Sequence, residues 1–158
     1  MLGGCIYMAA NTEIRWAPDY QDQFDNLNWR SGGTDKLYGT PQGCTVPSFH
    51  INYTTIADIC VFHIDMTINR NGSSMSTLIS IPALPFKTIS HSSFVVSYCQ
   101  AVFKANGNDN STMISAAAYA ETQSIYFNQG FSGRTWSVHQ GELVSNGSIV
   151  ITGAYMMK

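Results

Sequence analysis

The chain has 158 residues, of which 44% are hydrophobic and only 11% charged, with a formal net charge of −2. A domain of this length buries roughly 70% of the surface of its unfolded chain, so one core suffices without disulfide or metal staples. No basic run supplies the phosphate neutralisation on which nucleic-acid binding depends, no apolar stretch approaches the ~20 residues of a spanning helix, and the first ten residues lack the regions of a signal peptide.

Nucleic acid and membrane insertion are therefore not expected as partners. Charged residues usually make up about 25% of a soluble domain, so much of this surface must be Ser, Thr, Asn and Gln. Such a skin repels itself little and loses little side-chain entropy on contact, which suits packing against copies of itself or against another protein.

In chain order, Met8-Ala9-Ala10 reads as an alternative start, which makes residues 1–7 a leader extension. Ala17-Pro18-Asp19 followed by Tyr20, Phe24 and Leu27 has the 4, then 3 spacing of a short amphipathic helix, ended by Ser31-Gly32-Gly33-Thr34. Residues 1–43 are read as a partly helical arm, with Tyr20, Phe24 and Leu27 as its docking residues, and residues 44–158 as the β-domain.

From Ile56 to Asn69 the residues Cys60, Phe62, Ile64, Met66 and Ile68 alternate with polar ones, the period-2 signature of a half-buried strand. Asn71-Gly72 follows and accepts positive φ, which predicts a hairpin to a second strand over Ser74–Ile81. Pro82 and Pro85 break the pattern, with Leu84 and Phe86 expected to plug one end of the core. Ser92–Lys104 is predicted as a long strand, apolar on both faces at Phe94, Val95 and Val96 and so covered on both sides.

After the loop at 106–110, Thr112–Ala120 and Ser124–Phe127 are predicted strands, Gln129–Arg134 a Gly-rich loop, and Thr135–Val138 another short strand. Gly147–Met156 closes the series. Seven or eight strands with a turn every eight to twelve residues predict an antiparallel β-sandwich of jelly-roll type.

The four cysteines, Cys5, Cys44, Cys60 and Cys99, make no C-x-x-C pattern. They are expected as unpaired thiols, Cys60 and Cys99 as small buried hydrophobes, with a disulfide as the alternative. Four Asn-x-Ser/Thr sequons, at Asn52, Asn71, Asn110 and Asn146, read as turn chemistry rather than glycan acceptors.

The order Tyr53-Thr54-Thr55-Ile56-Ala57-Asp58-Ile59-Cys60-Val61, then Gly72-Ser73-Ser74, then Ile79-Ser80-Ile81-Pro82-Ala83-Leu84-Pro85-Phe86 resembles a β-domain of phage structural proteins, above all tail-fibre heads. The run Ile149-Val150-Ile151-Thr152-Gly153-Ala154-Tyr155 is similar to that family's closing strand, and Ile125-Tyr126-Phe127 with Trp136 to its aromatic strand pair. Ala57 stands where the pattern usually has Gly, and Pro82-Ala83 replaces the Gly before Leu-Pro-Phe. The resemblance covers roughly residues 44–158. It implies a virion structural protein that forms a homotrimer; the chain's length favours a head-fibre, capsid-decoration or tail-attached subunit over a fibre with a long shaft.

Little in the sequence points to catalysis. His50, His63, His91 and His139 have neither helical nor strand metal-site spacing, and no nucleophile elbow or phosphate loop occurs, so no metal, cofactor or enzyme activity is expected. Glycan cleavage needs only two carboxyl groups about 5 to 9.5 Å apart, for which Asp58, Asp65, Glu121 and Glu142 are the acids in the β region.

Binding has more to point at. Tyr126, Phe131, Arg134 and Trp136 lie in and beside the Gly-rich loop and could stack on sugar rings or anchor a receptor, although Tyr126 and Trp136 also fit as core residues. The expectation is a phage virion subunit that assembles with other virion proteins and contacts a host surface glycan or receptor. The alternative is a stand-alone carbohydrate-binding β-sandwich.

Overall fold

The computed structural model describes residues 7–8, 14–15, 30–71, 76–103, 114–131 and 134–158. Tyr20, Phe24 and Leu27, and with them the expected helix of the arm, lie outside the described residues, as do Cys5 and Asn110. All regular structure described is β apart from one short 3-10 turn at Gln140–Glu142.

The strands are β1 (Tyr7–Met8), β2 (Ile14–Arg15), β3 (Arg30–Thr34), β4 (Cys44–Ile56), β5 (Ile59–Arg70), β6 (Ser80–Pro82), β7 (Ser92–Cys99), β8 (Val102–Phe103), β9 (Ile114–Ala118), β10 (Ser124–Phe131), β11 (Arg134–Ser137), β12 (Leu143–Ser145) and β13 (Gly147–Met156). Eight of them run antiparallel in one sheet, in the order β11-β10-β9-β7-β13-β5-β4-β3, with β6 paired to β10; β1 pairs β2 and β8 pairs β12.

This single sheet curls over its own core. β6 ties its two halves together: Ile81 pairs Ile125 of β10, while Ser80 bridges Gln42 in the segment leading to β4. The Tyr38 N–H also donates to the Pro82 carbonyl. One curled sheet thus provides the enclosure that the strand spacing suggests for two facing sheets. Ser31–Thr34, read from the sequence as the end of the arm's helix, instead belongs to β3, which pairs along Ile51–Thr55 as an edge strand.

The expected hairpin at Asn71-Gly72 has a different partner. β5 pairs on one side with β4, through the two-residue turn Ala57-Asp58, and on the other with β13 along its whole length. Ala57 sits at φ 50, in the left-handed region that Gly enters most easily. Without a Gly or Asn at that position the turn had no compositional signal. β4 was legible all the same: Phe49, Ile51 and Tyr53 alternate with His50, Asn52 and Thr54, and the strand absorbs Pro47 at a register shift between Thr45 and Ser48.

Cys60, Phe62, Ile64, Met66 and Ile68 are buried, as their alternation requires, and join Ile149, Ile151, Ile125, Phe127, Ile81 and Leu84 in one core cluster. Gly153 is fixed by packing: a Cβ there would lie 2.6 Å from the Phe94 ring, which meets Phe62 edge to face at 4.9 Å. Phe86 packs against the core, and the Tyr155 hydroxyl both donates to the Phe86 carbonyl and accepts its N–H, each at 3.2 Å.

Candidate functional site: the outer face of the sheet

Pairing fixes which side chains share the outer face. On β5 these are Ile59, Val61, His63, Asp65 and Thr67; on β13 Met156, Ala154, Thr152, Val150 and Ser148 stand opposite them in turn. On β7 Val95 pairs Thr152 and Tyr98 pairs Val150. The register between Val150 and Ile151 skips Ser97, so a β-bulge shifts the alternation and turns Tyr98 outward with Val95.

The result is an apolar band across three central strands. Ile59, Val61, Val95, Tyr98 and Met156 are 46% to 65% exposed and make up five of the eight large hydrophobic side chains exposed among the described residues. Val95, expected beneath a covering layer, is the most exposed of them at 65%. Phe94 alone of its apolar run is fully buried, and Val96 packs partly against the core. Asp65 is the only Asp, Glu, Lys or Arg at the outward positions from Ile59 to Thr67 on β5 and on β13 and β7 beside them.

Toward β3 the same face turns polar. His50 lies opposite Asp65, and Asn52 opposite His63. His50 Nδ1 is 2.5 Å from Asp35 Oδ1, and the Asn52 amide donates to His50 Nε2 over 3.0 Å, so the Nδ1 proton is the one donated to Asp35. Next to this row lies a groove of about 350 Å³, lined by Ser31, Asn52, Thr54, Val61 and His63 over the backbone of Gly32. Ser31 and Thr54 share a hydroxyl hydrogen bond of 3.2 Å. Asn52, taken from its sequon as a turn residue, is thus mid-strand, whereas Asn146 is the single residue between β12 and β13, where its side-chain oxygen accepts the Arg70 N–H.

Of the sequence-predicted contact residues, Phe131 and Arg134 are paired at the end of the β10–β11 hairpin, and Trp136 pairs Gln129. Gln129, Gly130 and Phe131 therefore extend a strand where a loop was expected. Tyr126 is five residues from Phe131, about 17 Å at the rise of a strand, and keeps different company. Its ring lies 4.8 Å from that of Tyr119, which in turn meets His91 at 5.0 Å.

The Tyr119 carbonyl accepts both the Thr88 hydroxyl (2.6 Å) and the Thr122 hydroxyl (2.8 Å), and Glu121 at φ 66 completes this turn. Tyr119 is the residue the sequence reading missed. It follows a run of alanines whose small side chains gave no sign that an aromatic pair would form beyond them.

The acids considered for glycan cleavage fall on separate elements. Glu121 pairs with Lys158, Glu142 accepts the His139 N–H at 2.7 Å, Asp65 is on the outer face of β5, and Asp58 is in the β4–β5 turn. Cys44, Cys60 and Cys99 are free thiols. Burial pushes the Cys44 thiol up to about 12 and raises that of Cys60, where a Tyr155 hydrogen bond opposes the rise. Cys99, expected inside, is exposed at the end of β7.

Among the described residues no group of three or more His, Cys, Asp or Glu could hold a metal ion, and no helix is long and apolar enough to cross a membrane. Comparison of the chain with protein-family profiles, with curated proteins and with solved structures gives no match.

Proposed function

We propose that this chain is a structural subunit of a phage-type virion, of the tail-fibre, head-fibre or capsid-decoration kind, which works by assembly and contact rather than by catalysis. The observation that carries the reading is the outer face of β5, β13 and β7, where branched aliphatic and aromatic side chains meet water on central strands with almost no charge among them. Apolar patches of this kind mark interaction surfaces. The motif order over residues 44–158 supports the virion setting. The jelly-roll arrangement belongs to the same proposal, supported by the tie that β6 makes between β10 and the segment entering β4.

Density-gradient purification of particles from the genome encoding this chain tests the reading. The chain is expected to travel with the particle in fixed ratio to the other structural proteins. A chain left at the top of the gradient with soluble protein removes the proposal. Receptor contact at the β10–β11 hairpin is part of the same reading: Phe131→Ala with Arg134→Ala lowers host adsorption and leaves the melting temperature unchanged, and unaltered adsorption discards the hairpin.

A second reading, a stand-alone carbohydrate-binding module, is favoured by the Tyr119–Tyr126–His91 cluster, since aromatic faces on a fixed turn can stack on pyranose rings. It requires that the isolated chain be retained on a polysaccharide column and that Tyr119→Ala abolish retention.

A further inference from the structure

We infer that the outer face of β5, β13 and β7 is covered by a second copy of this chain, with Tyr98 of each copy seated in the groove beside Val61 of the other. The inference rests on the assembly reading and names the partner, as a two-fold contact between copies and not the homotrimer that the resemblance implies.

Knob and socket are both present on one face. The bulge at Ser97 turns Tyr98 outward at 48% exposure, and Val95 stands beside it. The groove lies on the same face about three strand spacings away, ~14 Å across β13 and β5 toward β4. It is an open depression larger than a tyrosine side chain, with Val61, Tyr53 and Phe62 as its apolar lining and the His63 ring beside them. A two-fold axis lying in the face, midway between knob and socket, passes near Thr152 on β13. That axis brings each Tyr98 to the other copy's groove, as an isologous contact requires.

Charge selects a second copy over a foreign partner. An isologous contact sets a face against itself, so any net charge on the face is opposed by the same charge. Asp65 is the only formal charge at the outward positions of β5, β13 and β7, opposite His50 in the register, and on the polar side of the face His50 holds the Asp35 carboxylate. A charge-matched foreign protein would find almost nothing here to match.

Size is adequate as well. Five strands from β3 to β7, five to thirteen residues long, at ~4.8 Å spacing and ~3.4 Å rise present on the order of 800 Å² in projection. A standard interface takes ~800 Å² of the rougher accessible surface from each partner. The contact also explains a feature of the sequence: Phe94-Val95-Val96 is apolar on both sides, as for a strand covered twice, yet Val95 is uncovered within one chain.

Sedimentation of the full chain and of two variants, Val61→Glu and Tyr98→Lys, provides the test. Both side chains are about half exposed, so neither change opens the core, and melting temperatures are expected within a few degrees of the parent. The parent is expected to associate at micromolar concentration, each variant alone to lose at least tenfold in association, and the equimolar mixture to recover it. In the mixed pair the introduced lysine meets the introduced glutamate at one contact, while the other contact keeps its native residues.

A parent that is monomeric at 200 μM overturns the inference. So does an associating parent whose variants associate equally well, or variants whose mixture fails to recover. None of these results touches the gradient experiment above, so failure of the interface and failure of the virion reading remain distinguishable.

Discussion

The two faces of β5 both begin with apolar side chains and meet opposite fates. Inward, Cys60, Phe62, Ile64, Met66 and Ile68 are nearly free of solvent; outward, Ile59 and Val61 on the same strand remain about half exposed. Burial inside the fold is decided by the curl of the sheet, which closes over one side only. The fully apolar row marks that side, and Ile59 and Val61 at the start of the other row are left outside. An apolar residue on the open side of a curled sheet is left in water by its own chain.

The contrast can be broken from either side. The largest effect is expected at the inner face. Ile64→Ala removes a fully buried side chain from the centre of the cluster and should cost about 2 to 5 kcal/mol, read from the urea midpoint. A cost under 1 kcal/mol means that the sheet does not close there.

Alkaline titration sharpens the same point through the buried thiol. Folded Cys44 holds its proton to about pH 12, whereas the unfolded thiol loses it near 9, so the folded state binds more protons between those values. Stability should therefore fall as pH rises from 9 to 12, by about 1 kcal/mol per pH unit, with Cys60 and Tyr155 acting in the same direction because burial raises both. Cys44→Ala should flatten the slope. A variant as sensitive to alkali as the parent assigns the loss to other groups.

The smallest effect is expected outside. Val61→Thr, measured at submicromolar protein where copies are apart, should change stability by no more than about 0.5 kcal/mol. A loss comparable to that of Ile64→Ala would mean that this face is already covered within one chain.

Much of the β reading was legible because period-2 alternation is a local property. It marked β5 and β13, the latter with the boundaries Gly147–Met156, and it was present unread in β4, whereas β9, whose alanines also suit a helix, was read as a strand from its place between turn signals. Pairing was not local. Asn71-Gly72 suggested a hairpin to the next run, but β5 found β4 on one side and β13, nearly eighty residues later, on the other. A turn residue permits a hairpin; the complementary inner rows of β4 and β13 decide the neighbour.

The binding residues divide in the same way. Tyr126 was legible as an aromatic in a short strand, whereas its partners Tyr119 and His91 come from a turn and from the segment before β7. Tyr98 was hidden by the bulge, since a period-2 reading assigns it to the core side.

By itself, then, the sequence determined an antiparallel β-chain with a sparse charge, the inner rows of its main strands and the closing strand at its end. Alternation and composition act over a few residues and need no knowledge of neighbours. Tertiary structure alone decided the order of strands and the tie through β6, because these depend on which distant rows fit together. The bulge that turns Tyr98 outward belongs with them, since its register is fixed only against β13.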